Sequence, residues 1–272
     1  METIDLPVLN ESTVVSSSDI RNFQDKGHFL THGLLSKAEA ESYRKVINEA
    51  TYAHNTEKRA LAERDTYGKA FLQIMNLWQV DIKVRQFTLA KRFAKVAATL
   101  MGVEHVRIYH DQALYKEPLG GHTPWHQDQY YWPLDTLNTI TLWMPLVDIT
   151  EEMGMLTFAS GSHKKGVIEN IAISDQSEAL LQTYIQEQEY PIHRATTMQA
   201  GDATWHYGST LHHAPGNHSQ STTREVMTVI YFADGAKITA PVNPHQENDR
   251  KTWLGDLPVG TLANSSLNPL VY

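Results

Sequence analysis

From about residue 104 onward the chain is cut into short runs rich in β-branched and aromatic residues: "HVRIYHDQALYK", "TITLWMPLVDI", "GMLTFAS", "YPIHRATTM" and "REVMTVIYFA". Turn-forming stretches, "EPLGG", "EEMG" and "APGN", separate them. Many short strands with irregular turns protect their edges by folding into a sandwich or a jelly roll. One polar insertion, roughly residues 165–190, interrupts the pattern and carries a helix-forming stretch, "SDQSEALLQTYIQEQ".

The first 103 residues read instead as helical. "SKAEAESYRKVINEA" opens with Ser36 and Glu39 in capping-box spacing. "KVRQFTLAKRFAKVAATLMG" reads as a second helix, with Phe87, Leu89, Phe93, Val96 and Leu100 on one broad face and Gly102 as its stop. The polar stretch between them, from His54 to Asn76, gives no clear periodicity. The fold expected is mainly β with α, a jelly roll with an N-terminal helical layer packed on one sheet. No repeat or linker marks a second domain, so residues 1–272 are expected to form one.

The chain has no cysteine, which excludes disulfides, zinc–thiolate sites, iron–sulfur clusters and thiol catalysis. A formal charge of −8 argues against a nucleic-acid binder and modestly against polyanionic substrates. The N-terminus has neither the basic start nor the apolar core of a secretory signal, and no apolar run is long enough to cross a bilayer. A soluble, cytoplasmic protein with neither a nucleic-acid nor a membrane partner is the expectation; the oligomeric state is not written in the sequence.

The chemistry-bearing stretch is "HTPWHQDQYYWP", residues 122–133. On a strand, His126 and Asp128 at positions i and i+2 point to one face. A carboxylate among so many rings must be paired or metal-bound to offset its desolvation. His-x-acid triplets alone carry little, because two occur, at His126 and at His245, about as many as chance gives for this composition. Context separates them: His245 sits in the polar "NPHQENDRK", expected to be a solvated loop. A third ligand candidate lies in "GDATWHYGSTLHHAPGN", at His212 or His213, and Arg224 follows at the head of "REVMTVIYF". Two imidazoles and one carboxylate on a β scaffold suit a facial triad with open positions on Fe(II). An arginine can hold a carboxylate through a two-pronged pair.

Taken in order, "FQDKGHFLTHGLLSKAEAE", "HDQALYKEP", "TPWHQDQYYWP", "LWMPLVDITEEMGMLTFASGSHKKG" and "AGDATWHYGSTLHHAPGN…R" resemble the phytanoyl-CoA dioxygenase family of iron(II)- and 2-oxoglutarate-dependent oxygenases over most of the chain. The resemblance implies a double-stranded β-helix, a cupin-like jelly roll. It implies iron held by His126, Asp128 and His212, and the distal carboxylate of 2-oxoglutarate held by Arg224. Trp143 matches a tryptophan lining the co-substrate site, and Lys116 a lysine on the strand before the His-x-Asp. Gln112 shares a strand face with Lys116 by alternation and joins the cofactor-site candidates.

Two features depart from the family pattern. Arg224 stands 12 residues after His212, one more than in many relatives, a spacing that would favour His213; the position of Asn217 favours His212. Ala214 replaces a serine that touches 2-oxoglutarate in several relatives. His110, His122 and His206 are expected in supporting roles.

The implied reaction consumes 2-oxoglutarate and O₂, releases succinate and CO₂, and hydroxylates or otherwise oxidises an unactivated C–H bond of a small metabolite. Asp128 itself points away from halogenation, where relatives carry a small residue. A metal-dependent cupin-like hydrolase or isomerase, and a non-catalytic jelly-roll binding protein, are the rival classes. Trp125, Tyr130, Tyr131 and Trp132 line a substrate pocket or belong to the core. The 165–190 insertion and "FLQIMNLWQ" are candidate walls or lids.

Overall fold

The computed structural model describes residues 5–168 and 170–272. Four residues of the N-terminal stretch read above, and Glu169 of the polar insertion, lie outside the described residues. Helices α1 (Ser17–Lys26), α2 (Lys37–His54), α3 (Thr66–Ala70), α4 (Leu77–Val80), α5 (Ile82–Thr88) and α6 (Lys91–Met101) occupy the first third, with strands β1 (His28–Thr31) and β2 (Leu72–Met75) among them. There follow β3 (Val106–Tyr115), β4 (Thr123–His126), β5 (Thr139–Pro145), β6 (Ile149–Thr150) and β7 (Thr157–Ala159). Helix α7 (Asp175–Glu187) precedes β8 (Ile192–Arg194), β9 (Thr197–Met198), β10 (Ala203–Tyr207), β11 (His212–Ala214) and β12 (Val226–Ala233), and α8 (Pro244–Thr252) comes last.

Six strands form the major sheet in the order β1-β10-β5-β12-β3-β2, and four form the minor sheet in the order β4-β11-β7-β8. Every pairing in both sheets is antiparallel. The sheets face one another as a jelly roll that does not close into a barrel, as the strand pattern led one to expect. Period-2 alternation sorts the side chains of the major sheet. On β12, Met227, Val229 and Tyr231 join the core against the helices, whereas Thr228 and Ile230 face the space between the sheets.

The helical layer behind the major sheet forms for local reasons. Ser36 and Glu39 make the reciprocal capping box, with Ser36 N donating to Glu39 Oε2 at 2.8 Å and Glu39 N to Ser36 Oγ at 3.3 Å. Glu39 also pairs with the buried Arg92 at 2.9 Å, which ties α2 to α6. Gly102 stops α6 in the left-handed conformation, φ 71°. The single helix expected across residues 83–102 is in fact two. The chain turns extended at Ala90, just after Thr88 donates its hydroxyl to the buried Asp111 on β3 at 2.8 Å. The break lets Phe87 and Phe93 meet edge-on at 5.0 Å inside one core.

Asp111 accepts from Leu77 N, Trp78 N and Thr88 Oγ1, and so pins α4 and α5 to the back of β3. Around His245 the expected solvated loop is instead the first turn of α8, with Asn243 as its cap and Pro244 at its start. Among the described residues no helix is long and apolar enough to cross a membrane.

Removing the α2 cap by Ser36→Ala is expected to lower the free energy of unfolding by about 1 kcal/mol. Urea denaturation reads it, and an unchanged midpoint would mean that Arg92 alone holds the start of α2.

Candidate metal centre

Strand β4 ends at His126, and Asp128 opens a short 3₁₀ turn, Asp128–Tyr131. The expected continuous strand is thus corrected to a strand end followed by a turn. The alternation survives because Gln127 between them stays extended (φ −121°, ψ 128°). Gln127 points the other way and is saturated: its amide donates to Gly166 O at 2.8 Å and Ser209 O at 2.5 Å, and accepts from Ile168 N at 2.8 Å. One buried amide therefore fixes the backbone that presents both ligand candidates.

On the neighbouring β11, His212 sits in register with His126. His126 Nε2 lies 3.5 Å and His212 Nε2 3.7 Å from Asp128 Oδ1, and ligand atoms of the three residues fall within 4.8 Å of one another. His213 turns to the opposite face and stacks on Trp125 at 4.1 Å. Geometry thus picks His212 over His213.

The donor set suits a divalent iron. His126 Nδ1 donates to Pro124 O at 2.7 Å and His212 Nδ1 to Thr210 O at 2.9 Å, which orients both rings with Nε2 toward Asp128. Burial, with the neighbouring imidazoles, holds His212 well below its usual range, in the neutral form a metal needs. Burial alone would raise Asp128, but the surrounding imidazoles outweigh it and hold the carboxyl well below the usual carboxylate range. Asp128 Oδ2 accepts from Thr141 Oγ1 at 3.0 Å.

The second half of the site is Arg224. Its backbone pairs with that of Lys116, and its side chain is 1% exposed. Nη1 donates to Gly154 O at 2.5 Å, the guanidinium lies over the Trp143 ring at 5.3 Å, and Nε has no partner among the described residues. Burial pushes Arg224 down to about 9. An unsatisfied cation in so dry a place fits a carboxylate ligand.

A cavity of about 250 Å³ between the sheets joins the two halves. Trp143, Gln112, Tyr131 and Trp132 line it with the triad and Arg224, as do Gln73 and Met75 of "FLQIMNLWQ" and Ile173 of the polar insertion. Three expectations are corrected. Trp125 packs with Leu181, Ile185 and Leu211 behind the site, because α7 receives its backbone through Ser177 and Glu178. Tyr130 points toward His245, and its carbonyl accepts from Gln246. Lys116, on the strand opposite Arg224, does not line the cavity; its ammonium donates to Gly121 O, and burial first, then Arg224, holds it well below the usual lysine range.

Sequence reasoning gave His206 and His110 only supporting roles. His206 Nε2 lies 3.4 Å from Asp128 Oδ2, and neither of its ring nitrogens has a hydrogen-bond partner among the described residues. The alternation Thr204, His206 on β10 was the available signal. Asn248, Asp249 and Trp253 line the far end of the cavity from α8 and its edge, with no warning in the sequence beyond the Asn-Pro helix start.

A family model for phytanoyl-CoA dioxygenase matches residues 23–226, three quarters of the chain. The chain belongs to the phytanoyl-CoA dioxygenase family. By class it is a non-haem iron, 2-oxoglutarate-dependent dioxygenase, with Fe(II), 2-oxoglutarate and O₂ as cofactor and co-substrates. A probable alpha-ketoglutarate-dependent hypophosphite dioxygenase of Stutzerimonas stutzeri is 29% identical over 48% of this chain, and the match spans 46% of that relative. A phytanoyl-CoA dioxygenase domain-containing protein 1 of Danio rerio is 22% identical over 85% of this chain and 94% of its own length. Among solved structures, the alpha-ketoglutarate-dependent carbocyclase SnoK from nogalamycin biosynthesis superposes with TM-score 0.78 at 23% identity, over 97% of this chain and all of that one. EctD from S. alaskensis gives TM-score 0.66 at 19% identity, over 87% and 84%. These likenesses carry the fold.

Gly154 has φ 81°, and any Cβ there would strike Pro215 O, so Gly154→Ala should lower the unfolding free energy by more than about 1 kcal/mol and displace the carbonyl that Arg224 holds. An unchanged melting temperature would contradict it. Burial also pushes His28 and His110 down to about 3. Their unfolded forms take up protons near pH 6.5 and the folded forms do not, so the metal-free protein should lose stability steadily from pH 6.5 toward pH 3. Urea melts at several pH values test this; a flat profile would contradict it.

Proposed function

We propose that the protein hydroxylates an unactivated C–H bond of a small-molecule metabolite, coupled to conversion of 2-oxoglutarate and O₂ into succinate and CO₂. The observation that carries this reading is one cavity holding both a two-His, one-carboxylate set and a buried guanidinium with an unpaired Nε. A hydrolase or isomerase on the same scaffold has no use for that guanidinium. A binding module has no use for the triad.

Each residue has a defined task. His126 and His212 would hold iron through Nε2, each ring oriented by the carbonyl that its Nδ1 engages. Asp128 would supply the anionic ligand, oriented by Thr141 Oγ1 and flanked by His206. Arg224 would anchor the far carboxylate of 2-oxoglutarate above Trp143. Ala214 faces the cavity without a hydroxyl, so the co-substrate's polar contacts must come from Arg224 and its neighbours. Bound iron with 2-oxoglutarate supplies the oxidising power; the chain supplies position and dryness. Trp132 and Tyr131 shield the site on the substrate side, where excluded water strengthens every charge interaction.

SnoK and the epimerase SnoN share this fold but catalyse different outcomes, so the cavity wall beyond the iron, rather than the jelly roll, sets the outcome. Retention of Asp128 supports oxygen insertion over halogenation.

Anaerobic titration with Fe(II), then 2-oxoglutarate, should give a weak visible charge-transfer band. Asp128→Ala should abolish the band. Arg224→Ala should weaken 2-oxoglutarate binding by about 30-fold or more, the order expected when one partner of a buried charge pair is removed. Fe(II) binding without any band would instead support the hydrolase or isomerase.

A further inference from the structure

On the oxygenase reading, on which this inference rests, the end of the cavity away from Arg224 holds neither a metal ligand nor the co-substrate. Its floor is made by a β-bulge. In the pairing of β12 with β3, Ile230 faces His110 and the next residue, Tyr231, faces Ile108, so Tyr109 is left over. The extra residue lets the adjacent Tyr109 and His110 both serve the inner side of the sheet. Tyr109 packs against Trp132 at 5.3 Å and reaches α8, where its hydroxyl donates to Asp249 Oδ2 at 2.9 Å. His110 packs against Trp253 at 5.6 Å.

Asp249 is the anomaly. It is 8% exposed and lines the cavity, and among the described residues its carboxyl group takes one hydrogen bond, from Tyr109. No Lys, Arg or His pairs with it among the described residues, whereas the acidic neighbours on the same helix stretch, Glu247 and Asp256, both pair with Arg250. A buried carboxylate with no counter-charge is costly unless a ligand supplies one. His110, which lines the same cavity, is 2% exposed and carries an unpartnered Nδ1. Burial keeps that ring neutral, so it adds no positive charge and can accept an N–H.

At the opposite end the charges are already balanced. Asp128 and a dianionic 2-oxoglutarate offset a divalent iron together with Arg224. Asp249 is then the carboxyl group on the cavity wall with no counter-charge among the described residues, and Trp132 and Trp253, of a ring type that attracts cations, line the same cavity.

We propose that Asp249, His110, Trp132 and Trp253 form a receptor for a cationic amine on the substrate, holding it so that the C–H bond to be oxidised lies toward the triad. The substrate class is therefore an amine or amine-bearing small molecule, not a carboxylate or an acyl ester. The burial that raises Asp249 to about 7 in the empty cavity is what an ammonium group would reverse.

The test is ligand-observed NMR on the full chain with Zn(II) as a diamagnetic metal and saturating 2-oxoglutarate, so that Asp128 and Arg224 are already engaged. The probes are n-hexylammonium, 1-hexanol and hexanoate, which differ only at the polar end. The proposal expects the ammonium to bind at least about tenfold more tightly than the alcohol, and hexanoate to bind worst. Asp249→Asn should abolish the preference, and Asp249→Glu should keep part of it. Equal binding of ammonium and alcohol by the unaltered protein, or a preference for hexanoate, overturns the proposal without any variant. An ammonium preference that survives in a folded Asp249→Asn also overturns it. The oxygenase reading fails separately: its charge-transfer band needs no amine, so a band without amine preference sinks only this proposal. An amine preference with no band sinks only the reading of the iron site.

Discussion

One carboxylate surrounded by imidazoles organises this molecule. Asp128 lies within 3.4–3.7 Å of His126, His206 and His212, at the only described group of side chains whose geometry could hold a metal. Placing it there takes both sheets: β4 and β11 bring His126 and His212 into register, β10 brings His206, and β5 brings the hydroxyl of Thr141. The two sheets meet around this point, and Gln127 on the reverse side locks the turn that carries Asp128. Without a counter-charge the arrangement would be unfavourable to bury, which makes the jelly roll a scaffold for an ion as much as a hydrophobic fold.

Much of this was legible in the sequence because the signals are local. Ser36 and Glu39 announce a helix start through backbone donors three residues apart. The strands of the major sheet show their two-sided burial in alternating side chains. His126 and Asp128 stand out through the i, i+2 spacing. The choice between His212 and His213 needed partners: two adjacent residues on a strand face opposite ways, and only the registers of β4 and β7 decide which way is inward.

The misjudged residues fail for a common reason. Trp125 and Tyr130 flank the His-x-Asp as closely as Tyr131 does, yet the packing of α7 and α8, distant in sequence, draws them away from the cavity. Lys116 sits opposite Arg224 but ends on a loop carbonyl. The helix break near Ala90 separates α5, whose Thr88 bonds to Asp111 on β3, from α6, and no signal in the sequence marks it. The bulge at Tyr109 shifts the strand's facing by one residue, which no pattern of polarity in "HVRIYHDQALYK" records. Local chemistry was readable; the meeting of distant elements was not.

The cavity that results is asymmetric in charge, with a buried guanidinium at one end, a buried carboxylate at the other, and the triad between. On the proposed reading the guanidinium end takes 2-oxoglutarate and the carboxylate end is left to the substrate.

The most direct measurement is a crystal structure of the protein grown anaerobically with Mn(II) and 2-oxoglutarate, with the metal located by its anomalous signal. The account predicts one metal bonded to His126 Nε2, His212 Nε2 and an Asp128 oxygen, and the far carboxylate of 2-oxoglutarate paired with Arg224. A metal bound through His206 or His213 in place of His212, or a co-substrate that leaves the Arg224 guanidinium unpaired, would contradict it.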